Sequence, residues 1–184
     1  VDGREVESTH YNFDGLNFPP GHPARSPLAS LFLDADTLLR TETSPSQVRT
    51  MEAQAPPVYI VSLGRVYRRD TPDATHTPVF HQVEGLAVDE GITLADLTGT
   101  LDFLFKALFG QERRTEFRTH YFPFTEPSIE AYVSCHVCDG AGCPVCRHSG
   151  WIEVGGAGMV DPKLFEFVGY DPERYSGFAF GWGL

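Results

Sequence analysis

The sequence predicts an α+β fold built on a largely antiparallel sheet, and three observations carry that expectation. Two strand-like stretches, residues 58–70 and 78–88, flank a short polar loop and so return on one another as an antiparallel pair. One long segment, residues 94–108, has its apolar side chains at the three- and four-residue spacings of a helix. Several short extended segments follow it, so strands outnumber helices.

Taken in order, residues 1–30 include Asn12, Gly15, Asn17, Pro19, Pro20, Gly21, Pro23 and Pro27, too many breaks for a long helix. They are expected to wrap the core as irregular or edge structure. Ser44-Pro45 ahead of Gln47-Val48-Arg49 reads as an N-cap followed by proline in the first turn, which starts a short helix with Ser44 at its N-terminus. Residues 58–63 are apolar and β-branched, residues 64–70 continue them, and Pro72-Asp73-Ala74-Thr75-His76 forms the loop to the returning strand. Thr93 caps the helix whose Leu94, Leu97, Leu101, Leu104, Phe105 and Leu108 share a face, and Gly110 stops it. Extended segments are expected around residues 115–124, 129–133, 151–154 and 178–182.

At 184 residues the chain is long enough for one full hydrophobic core, and 41% hydrophobic residues with 14 Phe and 7 Tyr are a globular composition. One main domain is expected over residues 1–184, with no repeat, low-complexity tract or interdomain linker. No apolar run approaches the ~20 residues of a membrane span, and no secretory signal is read. Fourteen basic residues against twenty-five acidic ones give a net charge of -11, which argues against a surface that neutralises nucleic-acid phosphates unaided.

All four cysteines lie in Cys135-x2-Cys138-x4-Cys143-x2-Cys146. Each pair is spaced to turn two thiolates toward one tetrahedral ion, and four sulfurs suit zinc. The expectation is a structural Zn2+ knuckle over residues 135–148, inserted between strands, in a reducing, cytoplasmic setting. His136 and His148 are read as surface residues, since cysteines fill the ligand shell.

Strand alternation puts Phe80, Gln82 and Glu84 on one face, where an aromatic ring, an amide and a carboxylate can stack on a flat ring and accept from an ammonium. Arg68 and Asp70 share a face on the preceding strand, a pairing that suits a phosphate. The same pattern also describes, more simply, a solvated face with cross-strand charge pairs. Phe122, Phe124 and Glu126 repeat the spacing; the two rings can line an aromatic pocket or can be plain core.

In their order, Gly64-Arg65-Val66-Tyr67-Arg68-Arg69-Asp70, Asp73-Ala74-Thr75-His76 and Phe80-His81-Gln82-Val83-Glu84-Gly85-Leu86 resemble motif 2 of the class II synthetases as it stands in phenylalanine–tRNA ligase alpha subunits. Asn12-Phe13-Asp14-Gly15-Leu16-Asn17 with His22-Pro23-Ala24-Arg25, residues 38–49, residues 121–127 and Gly177-Phe178-Ala179-Phe180-Gly181 are similar too, so the likeness covers nearly the whole chain. It implies a class II synthetase-like antiparallel sheet flanked by helices, ATP-dependent activation of L-phenylalanine with Mg2+, and transfer to tRNA(Phe) beside a beta subunit, in a heterotetramer of two alpha and two beta chains. Residue by residue, the resemblance implies that Arg68 holds the ATP α-phosphate with Asp70 close by. His76 would lie near the nucleotide and Phe80 stack on adenine, while Ser44, Gln82 and Glu84 hold the substrate amino group. Phe122 and Phe124 would pack on the substrate ring, Ala179 and Gly181 leave room beneath it, and Glu126 is a candidate magnesium ligand. Gly155-Gly156-Ala157-Gly158 is read as a tight strand turn beneath the pocket rather than a phosphate loop.

Three departures from that family stand out. Ser26-Pro27-Leu28-Ala29-Ser30-Leu31 replaces a stretch that usually carries Asp-Met and Asp-Thr, and Glu42 stands where a histidine is common. The chain is also expected to open after motif 1 and stop inside motif 3, as a fragment of low activity alone. Two other readings stay open: a non-catalytic paralogue that binds an amino acid or adenylate, and an interaction module organised by the knuckle.

Overall fold

A computed structural model describes residues 1–72 and 77–184. In chain order its elements are β1 (Val6–Ser8), α1 (Thr9–Asn12), β2 (Thr37–Leu39), α2 (Pro45–Ala53), β3 (Val58–Tyr67), β4 (Val79–Asp89), α3 (Leu94–Phe109), β5 (Thr115–Phe122), β6 (Thr125–Ser134), β7 (Trp151–Val160), α4 (Pro162–Val168) and β8 (Ser176–Gly183). β1 and β2 form a small two-stranded sheet, and the main sheet has six strands in the order β3-β4-β8-β7-β6-β5. Every neighbour pair in it is antiparallel. The predicted α+β class is observed, with helices on both faces of the sheet.

The strand β8 joins two pieces that sequence neighbours build alone, the β3–β4 pair and the β5–β6–β7 meander. Both faces it completes are covered, and strand alternation divides the core accordingly. Leu86 and Val88 of β4 pack with Phe13, Leu16, Val48, Met51, Leu164 and Phe165 on the side of the N-terminal segment, α2 and α4. Ala87, between them, packs with Leu97, Leu101 and Phe105 of α3 on the opposite side. Burial of such large side chains at roughly 1.5–3 kcal/mol each is a dominant favourable contribution on either face.

The helix α3 begins in a capping box, in which the Thr93 hydroxyl oxygen accepts from the Asp96 N–H and the Asp96 carboxylate accepts from the Thr93 N–H at 2.8 Å. It ends at Gly110, whose positive φ of 113° suits glycine. Leu94 and Leu108, expected on the apolar face, are exposed at 37% and 56%, because the helix rests on the sheet only along its middle.

Elsewhere the strand bounds differ from those local composition indicates. β5 stops at Phe122, and Pro123-Phe124 turns the chain into β6, which starts at Thr125 rather than at residue 129. β7 continues through Gly155-Gly156-Ala157-Gly158, so the expected tight turn is strand interior. Those glycines serve close approach instead of reversal: a Cβ on Gly156 would lie 2.5 Å from Phe122 Cζ, and one on Gly158 would lie 2.5 Å from Thr125 Cβ.

Candidate functional site

A cleft of about 840 Å³ crosses the face of the main sheet, between the segment that leads into α2 and the β5–β6 turn. Arg68, Asp70 and Phe80 line one end and Phe122, Phe124 and Ala179 the other, with Ser44, Gln82 and the facing pair Glu84 and Gly181 between. The predicted residues therefore converge, although they come from five separate places in the chain. Two do not join them. His76 lies outside the described residues, and Glu126, the candidate magnesium ligand, is exposed and absent from the lining. Its neighbour Thr125 is buried against the cleft, and strand alternation turns Glu126 the other way.

Glu84 is the centre of the polar wall. Its carboxylate is 5% exposed and accepts from Ser44 Oγ at 3.0 and 2.8 Å and from Gln47 Nε2 at 3.0 Å. Burial, then the neighbouring Glu42 carboxylate, push the Glu84 carboxyl up to about 8, against the pull of its hydrogen bonds and Arg68. Glu42 is itself raised by burial and held back by Arg68 and Thr41. The predicted helix does start at Pro45, but Ser44 has αR backbone angles and makes no capping bond, its hydroxyl being directed to Glu84. Gln82 accepts from the Thr43 N–H at 3.1 Å and so fixes the backbone that aims Ser44.

Arg68 is held by its Nε–H donating to the Thr41 carbonyl at 2.9 Å, with its guanidinium 5.3 Å from the Phe80 ring centre. A cation and an aromatic face thus stand together at the mouth, as phosphate and base binding require. At the apolar end Phe122 and Phe124 stack at 5.6 Å with an interplanar angle of 11°, and Phe18 backs Phe124 at 5.9 Å. Ala179 lines the cleft, but the volume Gly181 vacates is taken by Glu84: a Cβ there would lie 2.6 Å from Glu84 Cγ. That glycine makes room for the carboxylate wall.

Residue reasoning missed Gln47. Its position three after Ser44 on one helix face was the available signal. Phe18, Glu130 and Glu153 also line the cleft, and no local pattern announces them.

Away from the cleft, the Sγ atoms of Cys135, Cys138, Cys143 and Cys146 all lie within 4.8 Å of one another. The 135–143, 138–146 and 143–146 pairs are each 3.8 Å apart, the edge length of a tetrahedron with bonds of about 2.3 Å to a central metal. N–H groups of Gly142, Cys143 and Gly150 donate to Cys138 or Cys146 sulfur. These four sulfurs can hold a metal ion.

The knuckle is also a repeat, contrary to expectation at this short scale: Cys135-His136-Val137-Cys138-Asp139-Gly140-Ala141-Gly142 is followed by Cys143-Pro144-Val145-Cys146-Arg147-His148-Ser149-Gly150. Backbone φ agrees in sign at matched places, with Asp139 at 48° and Arg147 at 50°, Gly140 at 85° and His148 at 63°, Gly142 at 97° and Gly150 at 82°. His136 and His148 are exposed, as expected. The Cys135 N–H donates to the Gly150 carbonyl at 2.8 Å, closing the insertion onto β6 and β7.

No helix among the described residues is long and apolar enough to cross a membrane. Residues 1–184 match the family described as tRNA synthetases class II core domain (F). The chain is 57% identical over 184 residues to the phenylalanine–tRNA ligase alpha subunit of Alkaliphilus oremlandii, covering all of this chain and 54% of that one. The same subunit from Clostridium novyi is 55% identical over 183 residues, again with 54% of the relative covered. The chain thus spans about half the length of these curated relatives. Among solved structures, pyrrolysyl-tRNA synthetase from Desulfitobacterium hafniense superposes with a TM-score of 0.65 at 14% identity, covering 100% of this chain and 60% of that one, a likeness of fold.

Proposed function

Since the chain belongs to the class II tRNA synthetase core-domain family, we propose that it forms the amino-acid-activating centre of a phenylalanine–tRNA ligase alpha subunit. The observation that carries this reading is the buried Glu84, cradled by Ser44 and Gln47, in a cleft that also holds Arg68 beside Phe80 and the stacked pair Phe122–Phe124. The substrate ammonium pairs with Glu84 while Ser44 and Gln82 orient it, and the substrate ring lies against Phe122 and Phe124 above Ala179. Adenine stacks on Phe80, and Arg68 draws charge on the α-phosphate.

The substrate carboxylate then attacks the α-phosphorus in line. A new P–O bond forms, the bond to the bridging oxygen breaks, and pyrophosphate leaves with the electron pair. Holding the reacting oxygen and phosphorus together and stabilising the equatorial charge account for the rate, since the substrate carboxylate is itself the nucleophile. Mg2+ neutralises pyrophosphate charge when bound; with Glu126 outside the cleft, no protein carboxylate is assigned to it. The aminoacyl group then passes to a hydroxyl of tRNA(Phe): an ester bond forms, the acyl–phosphate bond breaks, and AMP leaves with the electron pair.

Residues 1–184 act as one catalytic domain with residues 135–148 as an inserted knuckle. Zn2+ is the metal that suits four thiolates, and with four protein ligands the site is structural, leaving no open position for chemistry. A net charge of -11 leaves most tRNA phosphate contacts to other segments or to a beta subunit. Reduced, metal-ready thiols fit a cytoplasmic protein.

The test is phenylalanine-dependent exchange of pyrophosphate into ATP by the full-length alpha chain co-produced with its beta subunit, with tyrosine as competitor. Arg68→Ala is expected to cut exchange by at least about a hundredfold, the usual loss for a contact to developing charge. Normal exchange without Arg68 would refute the site; ligand binding with no exchange in the parent would support the non-catalytic paralogue instead.

A further inference from the structure

The Glu84 wall holds a second carboxylate that the reading above leaves without a task. Glu42 sits two residues before Ser44, is 8% exposed and faces the same cleft. Ser44 and Gln47 both donate to Glu84, whereas the groups that favour an ionised Glu42 are Arg68 and the Thr41 hydroxyl. Among the described residues, the further charged or titratable groups of the cleft are Asp70 at the exit of β3, His22 in the N-terminal segment, Tyr121 on β5, Glu130 on β6 and Glu153 on β7. Acids predominate, and Arg68 has a phosphate to serve.

Resting on the proposed function, we infer that Glu42 is a further substrate-positioning residue: with Glu84 it forms a two-carboxylate wall that keeps one proton in the empty cleft and exchanges it for the ammonium of the incoming amino acid. The physical reason is that two buried carboxylates sharing one site cannot both carry charge with a single guanidinium nearby. The raised Glu84 carboxyl agrees with that account. A bound ammonium restores the balance: both carboxylates ionise around it, and the proton leaves to solvent. The wall thereby selects a protonated α-amine, because an analogue with hydroxyl or hydrogen in its place brings no positive charge to replace the proton.

The consequence is a pH-linked affinity of fixed sign. Below about pH 8 binding must expel the proton, so phenylalanine affinity rises with pH, by up to about tenfold per unit for one proton released. The rise ends once the empty wall has lost its proton or the substrate ammonium has lost its own.

Calorimetric titration of the full-length alpha–beta assembly with L-phenylalanine at pH 7, in phosphate and in Tris, reads the proton directly from the difference in apparent enthalpy. The parent is expected to release close to one proton per phenylalanine. Glu42→Gln is expected to release clearly less than the parent and to show a shallower rise of affinity from pH 6 to 8, because the like charge beside Glu84 is gone while burial still raises its carboxyl. Phenylalanine binding without proton release in the parent, or undiminished release in Glu42→Gln, would overturn the inference alone. Failure of the parent assembly to bind phenylalanine at all would overturn the functional reading and this inference with it.

Discussion

Replacing Gly181 by alanine tests the architecture of the cleft more sharply than removing any charged group. Gly181 on β8 stands directly opposite Glu84 on β4, so both residues present the same face of the sheet. The added Cβ would lie 2.6 Å from Glu84 Cγ, 3.4 Å from Glu84 Cδ and 3.4 Å from the Val83 carbonyl. The backbone on both sides is fixed in the sheet, so the Glu84 side chain must turn, and it cannot do so while keeping the bonds from Ser44 and Gln47. Overpacking of this kind costs about 1–3 kcal/mol of stability. Displacing the carboxylate from the ammonium, short of deleting it, is expected to cost about 1.4–2.8 kcal/mol in substrate binding, which is about ten- to a hundredfold in KM for phenylalanine. The KM for ATP should stay within about twofold, since Arg68 and Phe80 line the end of the cleft that takes ATP. Pyrophosphate exchange by the full-length assembly measures both constants, and Gly183→Ala, whose Cβ would meet Phe80 at an ordinary 3.4 Å, is the matched control. A Gly181→Ala protein whose phenylalanine KM is within twofold of the parent would refute the claim that this glycine exists to seat Glu84.

The ligand-free protein should lose stability as pH rises from about 4.5 to about 8, because the folded Glu84 retains a proton there that the unfolded carboxyl has given up. Glu84→Gln should flatten that slope in thermal melts at successive pH values, and an unchanged slope would contradict it. Metal analysis should find one zinc per chain; removing it with a chelator, or substituting Cys138→Ser, should lower the melting temperature by several degrees, at about 2–4 °C per kcal/mol for a chain this size, with recovery of the chelated protein on adding zinc. Gly99→Ala in α3 meets nothing within 4 Å and should raise stability by about 0.5–1 kcal/mol without touching exchange kinetics.

Much of this protein is written in short-range pattern. The helix α3 follows from Thr93, its leucine spacing and Gly110, and the β3–β4 pair from two β-rich runs about a loop. Phe80, Gln82 and Glu84 share a face because alternation in a strand is a local rule. The four cysteines declare a tetrahedral site by spacing, since knuckle geometry spans only a few residues. Where local signals failed, a distant partner was responsible: Gly155, Gly156 and Gly158 look like a turn until the Phe122 ring, the β8 backbone and Thr125 are seen filling the room they leave.

By itself, then, the sequence determined the fold class, the principal helix, the first strand pair, the cysteine knuckle and, through resemblance, most of the side chains that meet in the cleft. Tertiary structure alone decided how those side chains divide their work. It turned the Ser44 hydroxyl from a helix cap to Glu84, brought in Gln47, excluded Glu126, gave the Gly181 vacancy to a carboxylate and set Glu42 beside it in a buried wall. The reason is that hydrogen bonds, desolvation and charge coupling depend on through-space distance between segments forty or a hundred residues apart, and such distances exist only after β8 has inserted between β4 and β7 and closed the sheet.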